Sequence, residues 1–199
     1  YTMHDPKYNY LYETDPEPYM NNRRMFCPRG KMLGGSSSHN GMVHVRGNAM
    51  DFENWAQKDL KSWNYNNVLP YFKKSESISG LDPKYRSDNG PLKLSRSSEG
   101  NVLSKVYLEA AEQAGYEINN DMNGYKQEGF GLMDTTIFGG KRQSTSVTYL
   151  HPIIKRKNLK VITKTVVHKI MIENNKAVGI EYSQGERKKE VYADNEVIL

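Results

Sequence analysis

The chain contains a single cysteine and no long apolar run, and each shortage excludes a class of protein. Cys27 has no partner for an internal disulfide, and no cysteine or histidine group has the spacing of a structural zinc site, so we expect no metal centre. Charged residues make up 26% of the sequence. Because no stretch approaches the roughly 20 apolar residues that cross a bilayer, we expect no transmembrane segment.

Apolar residues are also scarce. With glycine counted and tyrosine left out they make up about 38% of the 199 residues, against roughly 45–50% in typical domains, which predicts a thin core. The 14 tyrosines argue against disorder because they are large side chains that can be buried. The net charge is +5, and the short basic runs at 155–160 and 187–189 come with no recognition module, so we expect no nucleic-acid partner.

Both ends of the sequence indicate an excised segment. The first residue is Tyr1 rather than an initiator methionine, and the apolar run at 196–199 has no turn after it. We therefore expect part of a longer protein whose missing partners complete the core.

Periodicity and turn residues predict a mixed α/β chain. We expect helices over 49–57, 66–76 with Pro70 in its first turn, 101–115 with Gly115 as its stop, and from Ser144 to a bend at Pro152. Asp51 and Glu53 are interpreted as acids at a helix N-terminus. The predicted strands are 91–94, 130–138, 159–163, 165–173, 176–183 and 190–199, the last four forming an antiparallel meander.

The stretch most relevant to chemistry is the glycine loop, defined as residues 34–43, with Arg29, Gly30 and Lys31 just before it. Glycines allow close backbone approach, consecutive amides can bind an anion, and the three serines at 36–38 add hydroxyl donors. These features predict a cradle for a phosphorylated cofactor. On composition alone a plain surface loop is an equal alternative. No G-x-S-x-G context surrounds the serines, so a serine hydrolase is disfavoured.

The residues around this loop resemble a known family. The run RGKMLGGSSSHNGMVHVRGN at 29–48, followed by DFENW at 51–55, resembles the first signature of the glucose-methanol-choline (GMC) oxidoreductases, which are FAD-dependent alcohol oxidases and dehydrogenases. Residues 9–18 resemble the arm before that signature, and 141–163 resemble the R-x-S-T-x-x-x-Y-L-x-P block. Residues 176–182 and 196–199 resemble the strands that lead to a second signature, which this sequence lacks. Within this family, the sequence of these motifs is most similar to insect glucose dehydrogenase-like and ecdysone oxidase-like members.

The resemblance implies an α/β fold: part of a GMC-type FAD-binding domain, with the glycine-rich loop and the β-meander, and part of an α+β substrate-binding domain. The implied division is 1–61 for an FAD-binding segment, 62–140 for the start of the substrate-binding domain and 141–199 for a second FAD-binding segment. The GxGxxG turn and the catalytic histidine would lie outside the sequence. The segment would therefore hold no catalytic residue and be inactive when isolated.

The resemblance also implies which residues of this sequence occupy the cofactor-binding positions of the family. Gly34, Gly35, Ser36 and Ser37 match the tight turn over the FAD, and Asn40, Gly41, Met42 and Val43 match the part that lines the flavin ring. Val167 matches a position whose backbone meets the adenine. The structural alternatives are an ordinary turn before a helix and, for Val167, a buried strand valine.

Two histidines call for separate interpretation. His39 occupies a slot where choline oxidase-like members have a histidine bonded covalently to the flavin 8α carbon, so a histidyl-FAD is one hypothesis. A histidine that packs beside the flavin or bonds a loop carbonyl is the alternative. His44 is interpreted as structural or as facing the substrate.

The function that the resemblance implies is oxidation of an alcohol or sugar CH–OH, with hydride transfer to flavin N5. The implied partners are a small-molecule alcohol and an electron acceptor, either dioxygen or a quinone. Two alternatives stay open: a flavin-retaining, non-redox lyase of the hydroxynitrile lyase type, and a non-catalytic binding descendant. Only the similarity to insect family members points to an extracellular location, and the residues themselves do not indicate a compartment.

Overall fold

The computed structural model describes residues 2–97 and 101–199, which fall into two units, Tyr1–Ile153 and Ile154–Leu199. In the described ranges no helix has both the length and the apolar character needed to cross a membrane. The α-helices are α1 (Ala49–Gln57), α2 (Tyr65–Ser75) and α3 (Val102–Gln113). Tighter turns occur at Thr2–His4, Pro18–Met20, Gly35–Ser38, Lys61–Trp63 and His151–Ile153, and a wider π turn at Ser146–Leu150.

The first unit contains short strands of two residues each, and the second unit contains longer strands. The strands of the first unit are β1 (Tyr12–Glu13), β2 (Phe26–Cys27), β3 (Val43–His44), β4 (Glu76–Ser77), β5 (Leu92–Lys93), β6 (Ser95–Arg96), β7 (Asp134–Thr135), β8 (Ile137–Phe138) and β9 (Lys141–Arg142). The strands of the second unit are β10 (Thr165–Glu173), β11 (Lys176–Gln184) and β12 (Arg187–Tyr192). In the first unit β7 lies between β3 and β6, and β8 pairs with β9.

Helix α1 begins where the sequence predicts because Asn48 and Asp51 form a capping box. The Asn48 Oδ1 accepts from the amide of Met50 at 2.9 Å, and the Asp51 Oδ2 accepts from the amide of Asn48 at 3.3 Å. Glu53, the second acid, instead accepts from the backbone N–H of Tyr65 at 3.0 Å and so ties α1 to the start of α2. The interpretation of Asp51 as an N-terminal acid is confirmed.

Helix α2 starts earlier than predicted. Asn64 caps it, accepting from the amide of Asn67 at 3.0 Å, so the helix begins at Tyr65 and Pro70 lies inside it rather than in its first turn. The predicted helix is confirmed, and only the placement of Pro70 in its first turn was wrong, because the prediction did not include this cap. Pro70 has no N–H, so it cannot supply the hydrogen bond that its position would otherwise give the helix.

Helix α3 confirms the clearest sequence prediction but not the burial that its pattern implies. Gly115 ends the helix at φ 83°. Its apolar positions Leu103 and Tyr107 are 75% and 63% exposed, and Ala111 is its buried residue. The thin core is confirmed in the described residues, where the buried apolar side chains are Tyr85, Leu94, Ala111 and Tyr182.

The predicted strand at 130–138 is divided in two. Strand β7 ends at Thr135 and β8 begins at Ile137, and between them the N–H of Thr136 donates to the carbonyl of Met42 at 2.8 Å while the carbonyl of Thr136 accepts from the N–H of Gln143 at 2.8 Å. Gly139 and Gly140, with φ of 56° and 70°, form the two-residue turn between β8 and β9.

The second unit is the predicted antiparallel meander. Strands β10 and β11 are joined at Asn174 and Asn175, whose φ values of 47° and 61° are those of a primed hairpin turn. The segments 159–163 and 196–199 are not strands, since neither has a ladder partner among the described residues, so both predictions were wrong.

The helix predicted from Ser144 is also different. The side-chain Oγ of Ser144 accepts from the amide of Val147 at 3.4 Å, which is the contact expected of a capping serine. The chain then winds as the π turn and a 3-10 turn that contains Pro152, so the predicted helix is not an α-helix.

Candidate functional site

The glycine loop begins with a left-handed turn that only glycine adopts without strain. Gly34 has φ 88° and Gly35 has φ 53°, and a tight turn over Gly35–Ser38 follows. A side chain on Gly34 would place its Cβ 2.5 Å from the Ser38 Oγ, and one on Gly30 would place it 2.4 Å from the Gly35 carbonyl carbon. The glycines therefore let two backbone segments approach closely.

The serine hydroxyls hold the loop together. Ser37 Oγ donates to the carbonyl of Gly34 at 2.5 Å, and Ser38 Oγ donates to the carbonyl of Leu33 at 2.9 Å. Ser36 Oγ accepts from the amide of Gly30 at 3.1 Å, which leaves its own proton unused. The expectation that all three hydroxyls donate to a ligand is therefore narrowed to Ser36, because the other two protons are taken by carbonyl groups.

The second half of the loop is tied to the β8–β9 hairpin. The guanidinium Nη1 of Arg142 donates to the carbonyl of Asn40 at 2.9 Å and to its side-chain Oδ1 at 2.8 Å. The same Oδ1 accepts from the amide of Met42 at 3.1 Å. Met42 has φ 63°, a left-handed value that non-glycine residues rarely adopt. Val43 then enters β3, paired with Thr135.

One side of the loop is open, which is what a bound flavin requires. A Cβ built on Gly35 or Gly41 meets no protein atom within 4 Å, and the Val43 side chain is 48% exposed. The Nδ1 of His39 is buried without a hydrogen-bond partner. An apolar face beside open glycines and an unpartnered imidazole nitrogen fit a planar, partly polar ring, so the residues present are compatible with the cofactor that the sequence implies.

Val167, the remaining predicted site residue, lies in the second unit. It is in β10 opposite Tyr182, and the ladder shifts register between Val167 and Lys169. The Val167 side chain is 52% exposed, so the alternative of a buried strand valine is not supported.

A group of buried charges beside β3 is absent from the sequence-based predictions. The Arg86 cluster consists of His44, Arg46, Glu76, Arg86, Arg96, Asp121, Asn123 and Asp134. Arg86, whose side chain is fully buried, donates from Nε to Glu76 Oε1 at 2.8 Å and from Nη2 to Asp134 Oδ2 at 2.8 Å. The Nη2 of Arg46 lies 2.7 Å from Glu76 Oε1.

The cluster favours ionised carboxylates. Burial alone would raise the pKa of Glu76, but hydrogen bonds from His44 and Arg86, with the charges of Arg46 and Arg86, outweigh burial and lower the pKa to about 2. Burial also opposes ionisation of Asp134, and its hydrogen bonds with Arg86 and Asn123 lower its pKa below the ordinary value.

The cluster bears on the interpretation of His44. Its Nε2 lies 3.3 Å from Glu76 Oε2, and the Nδ2 of Asn123 donates to its carbonyl at 3.1 Å. His44 also lines a cavity of about 410 Å³ together with Asp51, Met122 and Leu132. The structure thus places His44 beside the buried carboxylate of Glu76 and at a cavity wall.

Comparison with known proteins places these features in a family. A model of the GMC oxidoreductases matches residues 8–199. The chain is 44% identical over 195 residues to mitochondrial choline dehydrogenase of Mus musculus, covering 98% of this chain and 33% of the relative. It is 48% identical over 193 residues to oxygen-dependent choline dehydrogenase of Sinorhizobium fredii (strain NBRC 101917 / NGR234), covering 97% and 35%. The chain thus spans about a third of the length of the curated relatives it matches.

Solved structures agree in fold. Pyridoxine 4-oxidase from Mesorbium loti matches with a TM-score of 0.87 at 25% identity, over 94% of this chain and 37% of that one. Formate oxidase from Aspergillus oryzae RIB40 matches with a TM-score of 0.81 at 23% identity, over 96% and 35%, and supports the fold alone.

These matches confirm the predicted fold class and family. The finer prediction, of insect glucose dehydrogenase-like or ecdysone oxidase-like members, is not supported, because the relatives compared are choline dehydrogenases of a mammal and a bacterium. With the family model matched over residues 8–199, the chain belongs to the GMC oxidoreductase family.

Proposed function

We propose that this chain is the flavin-binding part of an FAD-dependent oxidoreductase acting on CH–OH donors. The observation that carries the proposal is the open side of the glycine loop. There Gly35 and Gly41 leave space for a ligand, while hydrogen bonds behind the loop fix its backbone. A rigid loop with an unfilled face is suited to a large planar cofactor, because little conformational freedom is lost on binding.

The proposed FAD contacts are those carried over from the family. In the first half of the loop Gly34, Gly35 and Ser37 would contribute backbone groups, and Ser36 both its backbone and its unused hydroxyl proton. In the second half the backbone of residues 40–43 would line the flavin ring. We assign Val167 in β10 to the adenine end and no catalytic residue to this segment.

The domain division is proposed on the same basis. Residues 1–61 and 141–199 would belong to the FAD-binding domain, and residues 62–140 would open the substrate-binding domain. The antiparallel meander of β10, β11 and β12 is in keeping with this assignment.

The relatives' names guide the substrate proposal. Because the two relatives compared are choline dehydrogenases at 44% and 48% identity, we propose a choline-like primary alcohol as substrate. The electron acceptor would be dioxygen or a quinone. Bound FAD would accept the hydride removed from the substrate carbon, while the residues of this chain would bind and orient the cofactor.

The test is reduction of the flavin by substrate without air. Full-length protein should lose its yellow colour when choline is added anaerobically and keep it with O-methylcholine, which has no hydroxyl group to oxidise. Retained colour with every alcohol tried would overturn the redox proposal in favour of a non-redox lyase. A folded but colourless protein would favour a binding descendant.

The link between His39 and the flavin stays a hypothesis with a simple test. His39 has a buried, unpartnered Nδ1, and its backbone N–H donates to the carbonyl of Ser36 at 3.2 Å, which fixes the residue at the end of the turn. On acid precipitation a covalent histidyl-FAD remains in the pellet. Yellow colour found wholly in the supernatant would exclude the bond.

A further inference from the structure

We propose that Arg142 is a positioning residue that holds Met42 in its left-handed backbone conformation, on the segment assigned to the flavin ring. The flavin part of this inference rests on the proposed function, whereas the backbone part does not. The device is the Met42 clamp, formed by Asn40, Met42, Thr136 and Arg142.

Met42 adopts a conformation that its side chain disfavours. At φ 63° its Cβ crowds the neighbouring carbonyl, a cost that glycine avoids. Such a conformation persists only where the surroundings determine it. In this chain both peptide groups next to Met42 are bonded: its N–H to Asn40 Oδ1 at 3.1 Å, and its carbonyl to the N–H of Thr136 at 2.8 Å.

Arg142 acts on Met42 through Asn40. Its Nη1 donates to Asn40 Oδ1 at 2.8 Å, to the Asn40 carbonyl at 2.9 Å and to the Ser37 carbonyl at 3.2 Å. Asn40 Oδ1 is also the acceptor for the backbone N–H of Met42. Arg142 therefore fixes the orientation of the Asn40 side-chain amide, on which the strained conformation of Met42 depends.

The β8–β9 hairpin positions both Thr136 and Arg142. Thr136 stands directly before β8, and Arg142 in β9 pairs with Ile137 in β8. Successive strand residues point to opposite faces, so Lys141 faces away from the loop. Among the described residues the Lys141 side chain makes no hydrogen bond or ion pair, which makes it a charge-matched control.

The clamp predicts a specific consequence for the cofactor. If Met42 relaxes to an ordinary conformation, the peptide groups on both sides of it rotate, and the surface that residues 41–43 present changes. The midpoint potential and visible absorption of bound FAD depend on the groups facing its ring, so both should respond to Arg142 although Arg142 acts through Asn40.

The experiment compares Arg142→Gln with Lys141→Gln in the full-length protein, because each variant removes one positive charge. Hydrogen exchange of the Met42 amide should rise on the order of tenfold in R142Q and stay unchanged in K141Q. The flavin potential and absorption should shift in R142Q alone. Asn40→Ala should reproduce the faster exchange even if R142Q folds poorly.

The decisive variant is Met42→Gly in the R142Q background. Glycine adopts a φ of +63° without strain, so R142Q should shift the flavin potential much less in the Met42→Gly background than in the wild-type background. Equal shifts in R142Q and K141Q, or unchanged exchange in R142Q and N40A, would overturn the clamp. A folded wild-type protein without FAD would overturn the proposed function instead, and the exchange comparison would still decide the clamp.

Discussion

The glycine loop and the Arg86 cluster lie in the same unit, and different physical effects hold them in place. The turn at the start of the loop is closed by short-range bonds between neutral groups, such as Ser38 Oγ to the carbonyl of Leu33, five residues away, while the guanidinium of Arg142 holds Asn40 in the second half. The cluster is fixed by buried charges far apart in sequence, such as Arg86 and Asp134, which are 48 residues apart. The comparison teaches that the first turn of the segment assigned to a ligand is built locally and its second half depends on Arg142, while the cluster beside β3 is built from buried ion pairs.

The largest effect is expected from breaking the cluster. Arg86→Ala would leave Glu76 and Asp134 buried without their main partner, and such a loss typically costs about 3–5 kcal/mol of unfolding free energy. Chemical denaturation of the full-length protein measures this value. The control is Lys105→Ala, which removes an exposed helix pair with Glu109 and should cost less than about 0.5 kcal/mol. Equal costs would show that the buried ion pairs of the cluster contribute no more than an exposed pair.

Acid should weaken the cluster before it affects the loop. The folded pKa of Glu76 is about 2, below its ordinary value of 4.5, so its contribution is complete above pH 4.5 and is lost as the pH falls towards 2. The loss amounts to about 3 kcal/mol at about 1.4 kcal/mol for each pKa unit. Denaturation at a series of pH values should show this decline in the wild type and a shallower one in Glu76→Gln. Identical declines would assign the acid sensitivity to other groups.

Two glycine substitutions test the glycine loop itself. Gly34→Ala places a methyl group 2.5 Å from Ser38 Oγ at φ 88°, and should cost about 1–3 kcal/mol of unfolding free energy. Gly41→Ala should change that energy by less than about 0.5 kcal/mol, because its methyl group meets no protein atom. If FAD covers Gly41, retention of the cofactor should nevertheless fall in G41A. Unchanged retention would remove Gly41 from the site.

The sequence predicts what local chemistry determines. Gly115 ends helix α3, helix α1 spans Ala49–Gln57, and the strands predicted at 165–173 and 176–183 pair as a hairpin, each where expected. Residue type alone is sufficient for such features because neighbours within a few positions decide them.

Features that depend on distant partners could not be predicted. Nothing near Arg86 or Asp134 in the sequence reveals that they meet, and nothing near Arg142 reveals that it bonds Asn40, 102 residues away. The strand predicted at 159–163 has suitable residues but no neighbour to pair with among the described residues. The apolar stripe of α3 predicts the helix but not the exposure of Leu103.

The most direct test of the account is the FAD content of the full-length protein. The glycine loop as described predicts one FAD per chain in the wild type, and clearly less in Gly41→Ala at unchanged folding stability. A folded wild-type protein that carries no FAD, or a G41A protein that holds it as tightly as the wild type, would contradict the claim that the open side of the loop is the flavin site.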